Sequence, residues 1–185
     1  MNIFDEAMEA YDRCISVLSI FTETYKKFCD DNEIEYDPEV TLSQFDLVLQ
    51  YSMLQLALND GYLDEGEIYF IRDITKHGDL CEYLDRRGIK GITWEGIYKS
   101  NELMVSKLLN KVGQEIYDMS SDFIHLFVAN ALVIPMDFFP FFQRDIYLIF
   151  LATCHADGDI NNEGEDLDCL MFDILDQIKN SIDDE

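Results

Sequence analysis

Acidic side chains cluster at two Asp-Gly turns, and their types and spacing suggest cation chemistry. Three of these acids belong to the first turn and four to the second: Asp60, Asp64 and Glu67, then Asp157, Asp159, Glu163 and Glu165. Clustered carboxylates supply the oxygen ligands that hard cations such as Ca²⁺ prefer. These residues are therefore weak candidates for a divalent-cation site, and the sequence indicates no other cofactor.

The spacing of both turns differs from that of an EF-hand loop. Gly61, Leu63 and Glu67 fit the sixth, eighth and twelfth positions of such a loop. The first and third ligand positions, however, hold two leucines in the first turn, and Thr153 and His155 in the second. We therefore interpret the turns as structural features with solvated acids and assign no metal site.

Both acidic groups are expected to open a helix. Asp64 with Glu67, and Asn162 with Glu165, have the spacing of a capping box, in which two side chains satisfy free N–H groups of the first helical turn. Apolar residues recur at helical spacing after each box. The first series is Ile68, Ile71 and Ile74, and the second is Leu167, Leu170, Met171, Ile174, Leu175 and Ile178.

A long amphipathic helix is predicted at the N-terminus. Its apolar residues alternate spacings of four and three along one stripe: Phe4, Met8, Tyr11, Ile15, Leu18, Thr22, Tyr25 and Cys29. We interpret this stripe as the packing face of a helix within its own domain. A homodimer seam is the alternative interpretation. Residues 31–40 are acidic, contain Pro38 and are predicted to form a loop.

The helices before the two turns complete a predicted pseudo-repeat. The first should start at a capping box of Thr41 and Gln44 and end at Asn59. The second should start near Pro140, which suits a first helical turn, and contain the apolar run 146–152. Residues 41–75 and 140–180 would then be related helical hairpins.

Residues 78–120 are predicted to connect the two hairpins. They should hold a short helix at 79–84, an irregular stretch at 87–96 and one further helix, and a second helix should then run from near Ser121 to before Pro135. No alternating strand pattern of useful length occurs. The sequence therefore predicts an all-α bundle of about seven or eight helices in one domain, residues 1–185.

The second turn carries a resemblance to a known family. A helix that ends in Ala156-Asp157-Gly158, with Ile160 and capping glutamates after it, resembles the TerB family of tellurite-resistance proteins. The first turn matches in part, with Asn59 in place of the alanine. The resemblance implies an all-helical fold without an established catalytic centre and a binding or scaffold role in stress-related or membrane-linked complexes.

The net charge of −25 limits the classes of partner. A surface of this sign repels phosphate backbones and anionic membranes, so we expect no nucleic-acid partner. Residues 76–111 are the exception, with seven basic side chains against five acids. The most apolar stretch, residues 146–154, is much shorter than the roughly 20 residues that span a bilayer, so no membrane insertion is expected.

Five cysteines without a CxxC pair, and the lack of a signal-peptide pattern, predict reduced thiols and a cytoplasmic location. Three histidines, His77, His125 and His155, are far apart in sequence and suggest no metal triad. Cys154 and His155 are adjacent, and neighbouring side chains on a helix point about 100° apart, which is unsuitable for a nucleophile and its base.

The motifs of common hydrolases, nucleotide-binding enzymes and metalloproteases do not occur in the sequence. We therefore expect a non-enzymatic interaction protein and keep an enzyme with paired carboxylates as a separate hypothesis. Two roles fit an interaction protein. One is a TerB-like module in a stress or envelope-associated complex, and the other is an acidic immunity-type or inhibitor protein that neutralises a basic partner.

Overall fold

Helices account for the regular structure in residues 1–59, 63–156 and 169–184, which the computed structural model describes. The α-helices, in chain order, are α1 (Ile3–Asp31), α2 (Pro38–Asn59), α3 (Glu65–Ile74), α4 (Leu80–Arg86), α5 (Trp94–Lys99), α6 (Glu102–Asn130), α7 (Phe139–His155) and α8 (Leu170–Asp183). A short 3-10 helix, Met136–Phe138, precedes α7. The prediction of an all-helical bundle is confirmed, and the described ranges contain no strand.

Residues on all sides of helix α2 are buried, because this helix lies at the centre of the bundle. It contacts α1, α3, α4, α6, α7 and α8. Three polar side chains on α2, Asp46, Gln50 and Ser52, are fully buried with the apolar ones. A helix that is buried all round must give such groups hydrogen-bond partners, and these partners lie in the loops and helix ends around it.

Helix α1 packs inside the bundle, mainly along α7, and also contacts α2 and α6. Its buried face is wider than the predicted stripe, because small residues such as Ala7, Ala10 and Cys14 are fully buried beside Tyr11 and Leu18. Small side chains let α7 approach closely. The first residue of the stripe, Phe4, is 36% exposed and meets Phe70 edge-to-face.

The start of α2 was predicted wrongly. The helix begins at Pro38, three residues before the predicted Thr41. Proline suits this first position because its fixed φ is helical and the missing N–H has no partner there in any helix. The Asp37 carboxylate accepts a hydrogen bond from Glu39 N at 3.0 Å, while the Thr41 hydroxyl lies 2.7 Å from Tyr36 Oη. The loop is therefore shorter than predicted, since residues 38–40 are helical.

The prediction of two helices between residues 103 and 132 was also wrong. Residues 102–130 form the single helix α6, and Ser121 lies inside it, where its hydroxyl donates to the carbonyl oxygen of Asp118. A serine that bonds back to the preceding turn does not interrupt a helix. Helix α6 ends at Asn130, and Pro135 precedes the 3-10 helix.

The region between the hairpins contains one helix that was not predicted. The short helix near residue 80 is present as α4, but α5 begins at Trp94, inside the stretch predicted to be irregular. The Thr93 hydroxyl caps α5 by accepting from Gly96 N at 3.0 Å. The indole N–H of Trp94 donates to Asp79 at 2.8 Å, which ties α5 to the start of α4.

The pseudo-repeat remains a prediction. Its second helical pair corresponds to α7 and α8, but the two turns that define the match, residues 60–62 and 157–168, lie outside the described residues, as does the capping box predicted at Asn162. Buried side chains from all eight α-helices of the described ranges join one apolar cluster. No helix in the described ranges combines the length and apolarity required to cross a membrane.

Candidate functional site

The first acidic group serves the start of α3. Asp64 Oδ1 accepts from Gly66 N at 2.7 Å, and Glu67 Oε2 accepts from Asp64 N at 3.1 Å, which is the capping box that the sequence predicts. A Cβ atom on Gly66 would lie 2.7 Å from the carbonyl oxygen of Ala156, so the start of α3 abuts the end of α7. The glycine permits this contact.

Of the seven cation candidates, Asp64 and Glu67 belong to the described residues. The other five candidates lie outside the described residues: Asp60, Asp157, Asp159, Glu163 and Glu165. In the described ranges, no three or more His, Cys, Asp or Glu side chains gather in a way that suits a metal ion. Glu67 is 2% exposed and shares in the capping box, so its position is explained by the helix start.

A second carboxylate, Asp46 on α2, is the most densely hydrogen-bonded acid of the described chain. Its side chain is fully buried and accepts from three successive backbone N–H groups, those of Lys76 at 3.1 Å, His77 at 2.6 Å and Gly78 at 2.9 Å. The Tyr11 hydroxyl donates to both oxygens, at 2.9 and 3.0 Å. These bonds fasten α1, α2 and the loop after α3 to one another.

Burial and hydrogen bonding change the pKa of Asp46 in opposite directions. Desolvation raises the pKa of Asp46, while the N–H groups of His77 and Gly78 and the Tyr11 hydroxyl lower it, and the net pKa lies above the ordinary value. Burial beside Asp46 also raises the pKa of Tyr11 far above its ordinary value. A Cβ atom on Gly78 would lie 2.6 Å from the carbonyl oxygen of Ser43. The loop therefore seals the carboxylate, and we interpret Asp46 as structural.

Other buried polar groups of α2 likewise cap neighbouring elements. Gln50 accepts from Leu80 N at 2.7 Å and donates to the Thr75 hydroxyl at 2.6 Å. Ser52 accepts from Met171 N at 3.1 Å, and Gln55 accepts from Leu170 N at 3.1 Å. Helix α8 thus receives its N-terminal cap from a different helix, because the side chain before it, Cys169, makes no capping bond.

The thiols have the properties of core residues. All five cysteines are free, and only Cys154 is not fully buried. Burial raises the pKa of Cys81 to about 12 and that of Cys169 to about 11, so both thiols are protonated at neutral pH. A protonated thiol is a weak nucleophile. His155, which follows Cys154, is the last residue of α7.

A cleft of about 440 Å³ opens between α1, the start of α2 and α6, a volume within the range of ligand pockets. We call it the tyrosine cleft. Its walls are Tyr25, Glu35, Tyr36, Asp37, Val40, Thr41, Gln44, Asp122, His125 and Leu126. Tyr25 meets Tyr36 edge-to-face with ring centroids 4.8 Å apart, and His125 lies perpendicular to Tyr25 at 6.1 Å.

Three carboxylates surround these rings. Asp37 is engaged as the acceptor for the first turn of α2, and Asp122 accepts one long bond, 3.3 Å, from Gln44 Nε2. Glu35 is exposed, and no hydrogen bond or ion pair joins it to the part of the chain that the structure describes. Apart from His125, the walls hold no basic side chain. Such a cleft can accept a cation and stack a planar group.

Neither Asp46 nor the tyrosine cleft was predicted as a site from the sequence. Asp46 did carry a signal, since it is the only charged residue in the apolar segment from Phe45 to Ala57. An acid in such a segment must be buried with partners or interrupt the packing. The cleft had no comparable signal, because its walls come from three segments separated by up to about 100 residues.

Comparisons with known proteins supply no relative. No protein-family model, no curated protein and no solved structure matches the chain. The TerB resemblance therefore rests on the residues of the two Asp-Gly turns.

Proposed function

We propose that this chain is a non-enzymatic helical interaction module whose partner is a protein with exposed basic side chains. The observation that carries the proposal is the tyrosine cleft, where the Glu35 carboxylate has no donor in the described structure and Asp122 has one long hydrogen bond. Partly unsatisfied carboxylates beside aromatic rings are suited to basic groups of a partner.

The distribution of the chain's own cations supports this proposal. Within the described residues, acids pair with eight of the thirteen Lys and Arg side chains: Arg13, Lys26, Arg72, Lys76, Arg87, Lys90, Lys99 and Arg144. With a net charge of −25, most surface acids therefore lack an internal cation. Long-range attraction would speed the approach of a basic protein.

Unlike the acids of the cleft, the buried polar groups of α2 already have hydrogen-bond partners, which supports a non-enzymatic role. Asp46, Gln50 and Ser52 all bond to backbone N–H groups of neighbouring elements. These bonds give each group a structural task and leave it closed to a substrate. The resemblance to TerB proteins favours a scaffold within a stress or envelope-associated complex, whereas the charge favours an inhibitor of a basic protein.

A binding measurement tests the proposal. An arginine–glycine repeat peptide is the probe, and a glutamate–glycine peptide of equal length is the control. We expect the arginine peptide alone to bind in calorimetry, with an affinity that falls by about ten-fold or more between 50 and 300 mM NaCl because salt screens charge attraction. Absence of binding, or equal binding of both peptides, would contradict the proposal. A weak dependence on salt would favour the scaffold over the inhibitor.

A further inference from the structure

The rings of the tyrosine cleft form a corner rather than a flat surface. Tyr25 and Tyr36 are nearly perpendicular, with an interplanar angle of 83°, and Tyr25 is also perpendicular to His125. The Tyr36 hydroxyl is held by the buried Thr41, which fixes the orientation of that ring. A planar group can lie on one ring face while its edge points toward the carboxylates at the walls.

The charges at the cleft select a cation. Glu35 and Asp122 are exposed acids on opposite segments, the loop before α2 and the middle of α6. Lys26, which follows Tyr25 on α1, pairs with Asp30. The first turn of α2 would attract an anion, but Asp37 already occupies it by accepting from Glu39 N. A carboxylate or phosphate is therefore disfavoured here.

Apolar side chains continue the cleft outward. Val40 lines the wall and is 53% exposed, and Phe28, which stacks on Tyr25 with centroids 6.1 Å apart, is 54% exposed. Exposed apolar residues next to a charged pocket are typical of a protein-binding surface rather than of a site for a free ion. The surroundings therefore favour a cation carried by another protein.

We propose that the tyrosine cleft binds the guanidinium group of an arginine on the partner protein. Guanidinium is planar, stacks on aromatic rings and pairs with two carboxylate oxygens at once, whereas the ammonium of lysine is a strongly hydrated point charge. The ring corner supplies the stacking face, Glu35 and Asp122 supply the charge, and Val40 and Phe28 contact the chain around the arginine. This inference rests on the proposed function and identifies the recognised group.

Variants of matched charge test the site with the same arginine–glycine peptide. The cleft variant combines Glu35→Gln with Asp122→Asn, and the control combines Asp176→Asn with Asp183→Asn on α8, which contributes no wall residue. Both remove two acids from exposed positions. We expect the cleft variant to weaken binding by about ten-fold and the control by about two-fold at most, because only the first removes direct partners of the cation.

The aromatic contribution has its own variant. Tyr25→Leu keeps an apolar side chain at the half-buried position but removes the ring face, so we expect a loss of about five-fold in affinity for the arginine peptide. Circular dichroism and thermal unfolding verify that each variant retains the helical fold. Equal binding of a lysine–glycine peptide to the parent protein would overturn the assignment to guanidinium.

The outcomes separate this inference from the proposed function. If the peptide binds the parent protein, the cleft variant and the control variant equally, the cleft assignment is wrong and a basic partner remains. If the peptide does not bind at all, the proposed function is wrong. N-acetyl-arginine amide then tests the cleft alone by NMR: shifts concentrated at Tyr25 and His125 uphold the assignment, and dispersed or absent shifts overturn it.

Discussion

The surroundings of Asp46, closed by the loop after α3, and the tyrosine cleft each hold a carboxylate, but these carboxylates have very different numbers of hydrogen-bond donors. Asp46 in the first region is fully buried and receives three backbone N–H groups and the Tyr11 hydroxyl. In the cleft, Asp122 receives one long bond, and Glu35 receives none from the described residues. Both regions use side chains of the same central helix, α2, as part of their structure.

This difference teaches that acid content alone does not identify a binding site. A carboxylate that already has a full set of donors holds the fold together, since removing it would leave those donors unpaired in the interior. A carboxylate without donors can be satisfied by water or by a partner. Two substitutions and one titration test this division, in descending order of expected effect.

Replacement of Asp46 should produce the largest loss of stability. Asp46→Ala removes the acceptor of four donors, the buried Tyr11 hydroxyl and three part-buried backbone N–H groups, so we expect the free energy of unfolding to fall by about 3 kcal/mol or more. Urea denaturation followed by circular dichroism measures this change. The matched control is Asp122→Ala, an exposed acid of the cleft, which should cost less than about 0.5 kcal/mol. Similar losses in the two variants would contradict the division.

The capping residue Asp64 should give an intermediate effect. Asp64→Ala removes the acceptor of Gly66 N at the start of α3, and loss of such a cap costs about 1 kcal/mol. The exposed C-terminal acid Asp184 serves as control, and Asp184→Ala should leave thermal unfolding almost unchanged. If both substitutions shifted the melting temperature equally, the capping role of Asp64 would be untenable and a ligand role would gain support.

Local rules predicted much of the fold. The capping box at Asp64 depends on residues three apart, so neighbouring sequence is sufficient to find it. Helix α6 was divided wrongly because Ser121 satisfies its hydroxyl within the helix, a choice that the sequence leaves open. Thr41 was misplaced because Pro38 provides an equally good helix start.

Long-range partners could not be predicted in the same way. Helix α8 is capped by Ser52 and Gln55, which precede it by more than 100 residues, and no local pattern links them. The tyrosine cleft requires α1, α2 and α6 to meet, so it depends on tertiary packing. Candidate sites built from adjacent residues, such as Asp64 and Glu67, are visible in sequence, whereas sites built from separate helices emerge only after folding.

Glu115 on α6 supplies the smallest and most specific test, because it is a partly exposed acid that nevertheless has donors. Its carboxylate accepts from Tyr83 Oη at 2.6 Å and from Arg87 Nε at 2.8 Å, which joins α6 to α4. The bonds from Arg87, followed by that from Tyr83, hold the pKa of Glu115 below its ordinary value, while burial raises the pKa of Tyr83 to about 12. Since the folded pKa of Glu115 is the lower one, its contribution to stability is present above the unfolded value and is lost as pH falls through the folded value.

Carboxyl ¹³C NMR should show the depressed pKa of Glu115 in the parent protein and a return toward the ordinary value in Arg87→Ala. The substitution Lys90→Ala is the control, because Lys90 pairs with Asp85 instead and should leave the titration of Glu115 unchanged. A Glu115 pKa that does not move in Arg87→Ala would show that donors do not govern exposed carboxylates here, and the contrast between engaged and available acids would then apply only to the buried Asp46.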